Sequence, residues 1–171
     1  MSEAPQSQDL DPRRYRHVVS RFATGVTVVS TVVDGVRYGL TVNSFTSVSL
    51  DPLLVLFCCE IDCEFHEPVL TAGKWGVSVL SQMQADDANW FATRGVPGVD
   101  QFTGRPGVRS GRMLAVPLLT DALATFECRT WTTYEGGDHT VVIGEVVEAT
   151  ITNEGDPLLY FGSAYRGIAP A

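Results

Sequence analysis

The chain lacks any run of about eighteen consecutive apolar residues, which excludes a helical membrane span. It is also short of positive charge. Twelve Lys and Arg stand against twenty Asp and Glu, leaving a formal charge of −8. Such a surface repels phosphate backbones, so nucleic acid is excluded as a partner. Any anionic ligand then depends on local positive potential. The opening residues are polar and lack the apolar core of a signal peptide, so the chain reads as cytoplasmic. Cysteine is sparse and poorly spread for cross-linking: Cys58, Cys59 and Cys63 crowd together, and Cys128 stands apart. In a reducing compartment these read as thiols. Cys59, Cys63 and His66 fit no familiar zinc spacing and lack a fourth ligand, so no metal is expected. No glycine-rich turn joins a strand to a helix in the dinucleotide fingerprint, which excludes a Rossmann fold. There are no internal repeats and no domain boundary.

What is present suits one domain. A chain of 171 residues buries about two thirds of its unfolded surface and needs no disulfide or metal to fold. Residues 1–12 read as a flexible tail and residues 13–168 as the domain. Asp11-Pro12 supplies an N-cap and a first-turn proline. Tyr15, Val18, Val19 and Phe22 follow at helical spacing, which predicts an amphipathic helix over 13–23. Residues 26–33, rich in Val and Thr, read as a strand. Asp34-Gly35 signals a hairpin into a return strand from Val36 through Val42. Asp51-Pro52 breaks the pattern, and the apolar run 53–59 reads as a strand buried on both faces. Residues 60–70 are irregular and then helical, stopping before Gly73. Residues 75–80 form another strand. Ser81 and Gln84 fit a capping box, predicting a helix that turns Met83, Trp90 and Phe91 inward and stops near Gly95. Residues 95–117, rich in Gly, Pro and Arg, read as a long loop. Strands follow over 118–134, 140–152 and 158–161, with a turn at Gly136-Gly137. Many strands with few inserted helices argue for a mostly β (α+β) domain, an antiparallel barrel rather than a doubly wound sheet.

Thr41-Val42-Asn43-Ser44-Phe45-Thr46-Ser47-Val48-Ser49 is mostly small or polar, yet it continues a β pattern. It offers hydroxyls, an amide and main-chain groups along one edge, which suits a flat heterocycle with alternating donors and acceptors. Alone, it reads equally as a solvated strand. Its neighbours decide. Arg21-Phe22-Ala23-Thr24-Gly25-Val26-Thr27-Val28-Val29, then the segment above running into Leu50-Asp51-Pro52-Leu53, resembles the flavin reductase-like family with the FMN-binding split barrel. Gly73-Lys74-Trp75-Gly76-Val77-Ser78, Gly137-Asp138-His139-Thr140 and Pro157-Leu158-Leu159-Tyr160-Phe161 continue the match in order.

The resemblance implies an antiparallel split β-barrel, homodimeric, with FMN or FAD in a groove near the subunit interface. It implies NADH or NADPH as co-substrate, and a flavin-dependent monooxygenase that receives the reduced flavin. It places Thr41, Val42, Asn43, Ser44 and Ser47 at the ring edge. Cys58, Cys59 and Glu60 fall beside the ribityl chain, Cys63 and His66 near the phosphate, and Tyr160 on the closing strand. His139 takes the position of the family's histidine near the nicotinamide. On its own, His139 reads equally as a hydrogen-bonded residue flanking a turn. The sequence departs from the family at Ile61, Asp62, Cys63, Glu64 and Phe65, which are poor phosphate ligands; hydroxyls, N–H groups or arginine would serve better. Gly162-Ser163-Ala164 likewise stands where relatives carry an arginine. Arg94, Arg105, Arg109 and Arg112 are candidates to compensate. The altered loop also admits two other readings. One is a family member that has exchanged reduction for another small-molecule transformation, an isomerisation or cyclisation. The other is a flavin-binding protein without turnover.

Overall fold

The computed structural model describes residues 11–93 and 98–168. The first helix, α1 (Pro12–Val19), starts on its expected signals: the Asp11 carboxylate accepts from the Arg13 N–H at 3.0 Å, and Pro12 opens the first turn. It begins within the segment expected as tail and ends four residues before the expected Ala23. Ser20 caps it by donating to Arg16, and Phe22 lies beyond its end. Its apolar side has no covering partner among the described residues: Tyr15, Val18 and Val19 are all exposed.

Seven strands form one antiparallel sheet. In chain order they are β2 (Thr27–Val33), β3 (Val36–Val42), β4 (Thr46–Leu50), β5 (Leu53–Glu60), β6 (Lys74–Val79), β9 (Ala124–Gly136) and β10 (His139–Ile151). Side by side they run β3-β2-β6-β9-β10-β5-β4. The short strands β1 (Thr24–Gly25), β11 (Leu159–Phe161) and β12 (Ala164–Arg166) make a second sheet. β7 (Val108–Ser110), inside the stretch expected to be loop, pairs with β8 (Pro117–Leu119), which begins on that stretch's last residue.

The sheet must curl. β3 and β4 are its opposite edges, yet only residues 43–45 join them. Flat, seven strands would set those edges about 29 Å apart, while the four peptide steps from Val42 to Thr46 reach at most about 14 Å. The link therefore holds the edges within about 14 Å of each other, and inside it the Ser44 hydroxyl accepts from the Cys58 N–H of β5 at 2.9 Å. Residues 41–49 are thus not one strand but the crossing between two edges. The expectation of a continuous strand there is corrected by this closure.

Inside the curl, Val29, Val55, Phe57, Trp75, Val77, Cys128 and Val142 pack together. The short helix α2 (His66–Ala72) adds Val69, and Phe65 packs just ahead of it. Gly144 belongs here because a Cβ would overlap the Trp75 ring. A second core on the outer face joins Val26, Val28 and Leu80 to α3 (Ala85–Ala92) through Ala88 and Phe91. β2 is therefore covered on both sides.

Several local expectations are corrected. β5 is not uniformly buried: Val55, Phe57 and Cys59 are buried, while their alternates Leu54, Leu56 and Cys58 are half-buried. The capping box is present, with Gln84 Oε1 accepting from the Ser81 N–H at 3.1 Å, but it opens a single 3-10 turn (Gln82–Gln84) before α3. That offset turns Met83 out to 85% exposure and leaves Trp90 half out; only Phe91 points inward as expected. Gly95, the expected stop, lies outside the described residues. The strand region 118–134 is split by a turn into β8 and β9, and the tight turn after β9 falls on Gly137-Asp138. No helix among the described residues is long and apolar enough to cross a membrane.

Candidate flavin site

A run of connected depressions follows the β3 edge. A groove of about 260 Å³ lies between α1 and the second sheet, lined by Tyr15, Arg16, Phe22, Asn43, Tyr160 and Ser163 among others. Asn43 and Tyr160 also line a second groove of about 220 Å³, with Thr41, Val42, Ala92 and Tyr165. Ala92 leads on to a narrow cleft of about 60 Å³ bounded by Gly39, Glu60, Cys63, Glu64 and Thr93.

Strand alternation defines what β3 presents to this run. The Gly39 N–H donates to Gln101 Oε1 at 2.7 Å, and the Arg37 carbonyl accepts from the Gln101 N–H at 3.1 Å. The main-chain groups of residues 37 and 39 therefore face away from β2. Those of residues 41 and 43 share that parity. The Val42 carbonyl points the other way, toward the Thr27 hydroxyl. Gln101 covers the first part of this outward row. At Thr41, where the groove opens, the row has no partner among the described residues.

The side chains of the same segment are committed elsewhere. The Thr41 hydroxyl donates to the Ala88 carbonyl at 2.8 Å, fixing α3 to β3. Ser44 holds Cys58. Their sequence signal, polar residues in a β pattern, came from bracing the groove; the groove itself is offered main chain. Asn43 is exposed and lines two of the depressions.

The other expected residues divide. Glu60 and Cys63 line the narrow cleft, and Tyr160 lines both larger grooves. Ser47 sits exposed on β4, outside the groove lining. Cys58 is half-buried behind Ser44, and Cys59 is fully buried. His66 Nε2 lies 2.8 Å from the Thr140 hydroxyl, bracing α2 against β10. His139 stands opposite Glu60 in the β10–β5 register but is not itself among the residues lining these depressions. Its Nδ1 is 2.7 Å from the Asp138 carboxylate, an acceptor, so Nδ1 carries the proton and Nε2 remains for a ligand. Hydrogen bonding from His139, then its charge, holds the Asp138 carboxyl below the usual range, and Arg16 contributes a smaller effect.

Of the arginines expected to compensate for the acidic loop, three are engaged elsewhere. Arg105 pairs with Asp87 and lies over the Trp90 ring at 4.8 Å. Arg109 donates to Thr125 at 2.9 Å, and with Arg112 it lines a separate depression beside Glu127. Arg94 is outside the described residues. The cation that does line the groove run, among the described residues, is Arg16. Sequence reasoning passed over it because α1 was read for its apolar spacing; Arg16 falls between Tyr15 and Val18 and faces the groove.

These features can be tested against a flavin. An open strand edge beside Tyr160 and Tyr165 fits a flat ring with alternating donors and acceptors. A cleft with Glu60 and Glu64 on its walls does not fit a bare phosphate dianion. The structure is a curled antiparallel sheet with a groove along one edge. The family model described as "Flavin reductase like domain" matches residues 19–169, and the chain belongs to that family. It is 42% identical to an NADH-dependent FAD reductase of Streptomyces globisporus, covering 98% of this chain and 93% of that protein. It is 36% identical to the reductase subunit HsaB of a flavin-dependent monooxygenase from Rhodococcus jostii, over 98% of this chain and 83% of that one. The crystal structure of BorF, the flavin reductase component of a bacterial two-component tryptophan halogenase, superposes with a TM-score of 0.87 at 41% identity. It covers 94% of this chain and 100% of that one.

Proposed function

We propose that this protein is an NADH-dependent flavin reductase that supplies reduced flavin to a separate oxygenating or halogenating partner. The observation that carries the reading is the open main-chain edge at Thr41, set in a groove of a chain whose full-length relatives are reductases. The flavin ring lies along that edge, with Tyr160 and Tyr165 beside it. The bound pair supplies the chemistry, a hydride passing from the nicotinamide to the ring. The protein aligns the two and excludes water. The N–H groups of the edge are fixed dipoles that favour the negative charge of a reduced ring. His139 orients the nicotinamide through Nε2 while Asp138 holds Nδ1. The ribityl chain runs past Glu60 and Cys63 along the narrow cleft, with Cys58, Cys59 and His66 behind its wall.

Glu60 and Glu64 favour FAD over FMN. FMN ends in a phosphomonoester of about two negative charges, which would stop in the acidic cleft. FAD spreads its charge over a diphosphate that continues past it. Residues 13–168 carry the activity, in the cytoplasm, as a homodimeric split barrel whose apolar α1 faces are covered by the second copy. The deciding assay follows NADH and NADPH oxidation with FMN and FAD in all four pairings. NADH with FAD is expected to be fastest, and FMN to show the higher KM. Oxidation that no flavin accelerates would refute the reading and favour the isomerase or binding-protein alternatives.

A further inference from the structure

Cys59 and Cys63 stand apart from the other thiols. Their Sγ atoms are 3.6 Å apart, joined by a thiol hydrogen bond across a four-residue offset. Cys59 is fully buried at the end of β5, and Cys63 is half-buried on the wall of the narrow cleft. The pair thus has one protected member and one that meets solvent.

We propose that Cys59 and Cys63 form a peroxide-sensitive dithiol that closes to a disulfide and narrows the end of the flavin groove. This rests on the reductase reading in one respect, the source of the oxidant. Reduced flavin released without a partner reacts with O₂, returning oxidised flavin and hydrogen peroxide. The Cys63 thiolate attacks one peroxide oxygen. The O–O bond breaks, a sulfenic acid forms, and the departing hydroxide takes a proton to leave as water. The Cys59 sulfur then attacks the Cys63 sulfur. The S–O bond breaks, the S–S bond forms, and the Cys59 proton leaves with the hydroxyl as a second water. The dithiol loses two electrons and the peroxide gains them.

The local chemistry assigns the roles in that order. The hydrogen bond from Cys59, aided by the Phe65 and His66 N–H groups, lowers the Cys63 thiol to about 7 despite burial and the opposing Glu60 charge. The hydrogen bond to Cys63 and burial push Cys59 up, with smaller contributions from Glu60 and Cys58, so it remains a thiol until Cys63 is oxidised. Closing the sulfurs from 3.6 Å to about 2.05 Å draws the loop carrying Glu64 toward the end of β5.

The test uses the full chain, first without flavin. Stoichiometric hydrogen peroxide is added, and the protein is denatured, alkylated and mapped by mass spectrometry. The expected result is loss of two hydrogens, two of the four thiols unblocked to the reagent, and one peptide pair joining Cys59 to Cys63. Dithiothreitol should restore all four. In Cys59→Ser, dimedone should trap a sulfenic acid on Cys63. Equal oxidation of Cys58 or Cys128, or links only between chains, would overturn the site; this readout needs no flavin turnover and stands whatever the reductase assay gives. Oxidised wild-type protein should then show a flavin KM raised at least threefold and restored by dithiothreitol. A disulfide that leaves KM unchanged would overturn the narrowing of the groove.

Discussion

Thr41 carries two separate duties, one on its side chain and one on its backbone. The hydroxyl holds α3 through Ala88, while the N–H faces away from β2 and is not part of the strand ladder. Proline is tolerated at an edge position whose N–H points outward. Thr41→Pro should therefore remove one donor from the groove without breaking the sheet. We expect its flavin KM to rise at least tenfold, about 1.4 kcal/mol, the cost of a lost hydrogen bond to the ring. Thr41→Val, which loses only the bond to Ala88, should stay within threefold of wild type. Equal effects in the two variants, read by steady-state kinetics with circular dichroism as the folding check, would place the contact on the side chain instead.

Cys63 gives a pH signature at the same scale. Its folded-state value of about 7 lies below its ordinary 9.0, so folding favours the thiolate. That stabilisation is present above pH 9 and is lost as pH falls through 7. The stability gap between wild type and Cys63→Ser should widen by about 1 kcal/mol from pH 6.5 to 9, after discounting for the half-exposed sulfur. Urea titrations at the two pH values measure it. A constant gap would mean that Cys63 is an ordinary thiol.

At the scale of elements, the turn between β7 and β8 is gathered onto one carboxylate. Glu127 on β9 is buried, and its oxygens accept from the N–H groups of Arg112, Met113 and Leu114 at 2.6–3.2 Å. Glu127→Ala would orphan three donors at once, that of Leu114 buried and those of Arg112 and Met113 partly so. We expect a loss of about 3 kcal/mol, seen as a lower urea midpoint, and faster proteolysis within 98–116. Glu127→Gln, which keeps an acceptor, should lose less. Strands β2, β3, β5, β6 and β10 were legible because apolar alternation and the Asp34-Gly35 hairpin report local pairing. The helix after Ser81 was legible in its signal but not its phase, because a 3-10 turn consumes the capping box and rotates Met83 outward. Arg16 was not legible, since nothing local tells which flank of an amphipathic helix will meet a groove. Likewise, the polar run at 41–49 marked the right place for a mixed reason, its hydroxyls being braces.

For the whole molecule, the apolar face of α1 is unspent. Tyr15, Val18 and Val19 are exposed on the helix, with Phe22 just beyond it at 75% exposure. Burial of such a cluster between two copies would offset the acidic repulsion of chains at −8. Sedimentation equilibrium should return twice the 18.5 kDa chain mass. Val18→Glu with Phe22→Glu should shift it toward the single chain and weaken flavin binding, because Phe22 also lines the groove. A monomer in the wild type would leave the α1 face to some other partner.

The link at residues 43–45 has one more consequence. Being the shortest tether between the two sheet edges, it acts as a ruler for the width of the mouth between them. Each residue added there would let the edges part by up to about 3.4 Å, while each one removed would pull Asn43 into the seam. The length of this three-residue link thus sets how wide the mouth can open, without any change to the core.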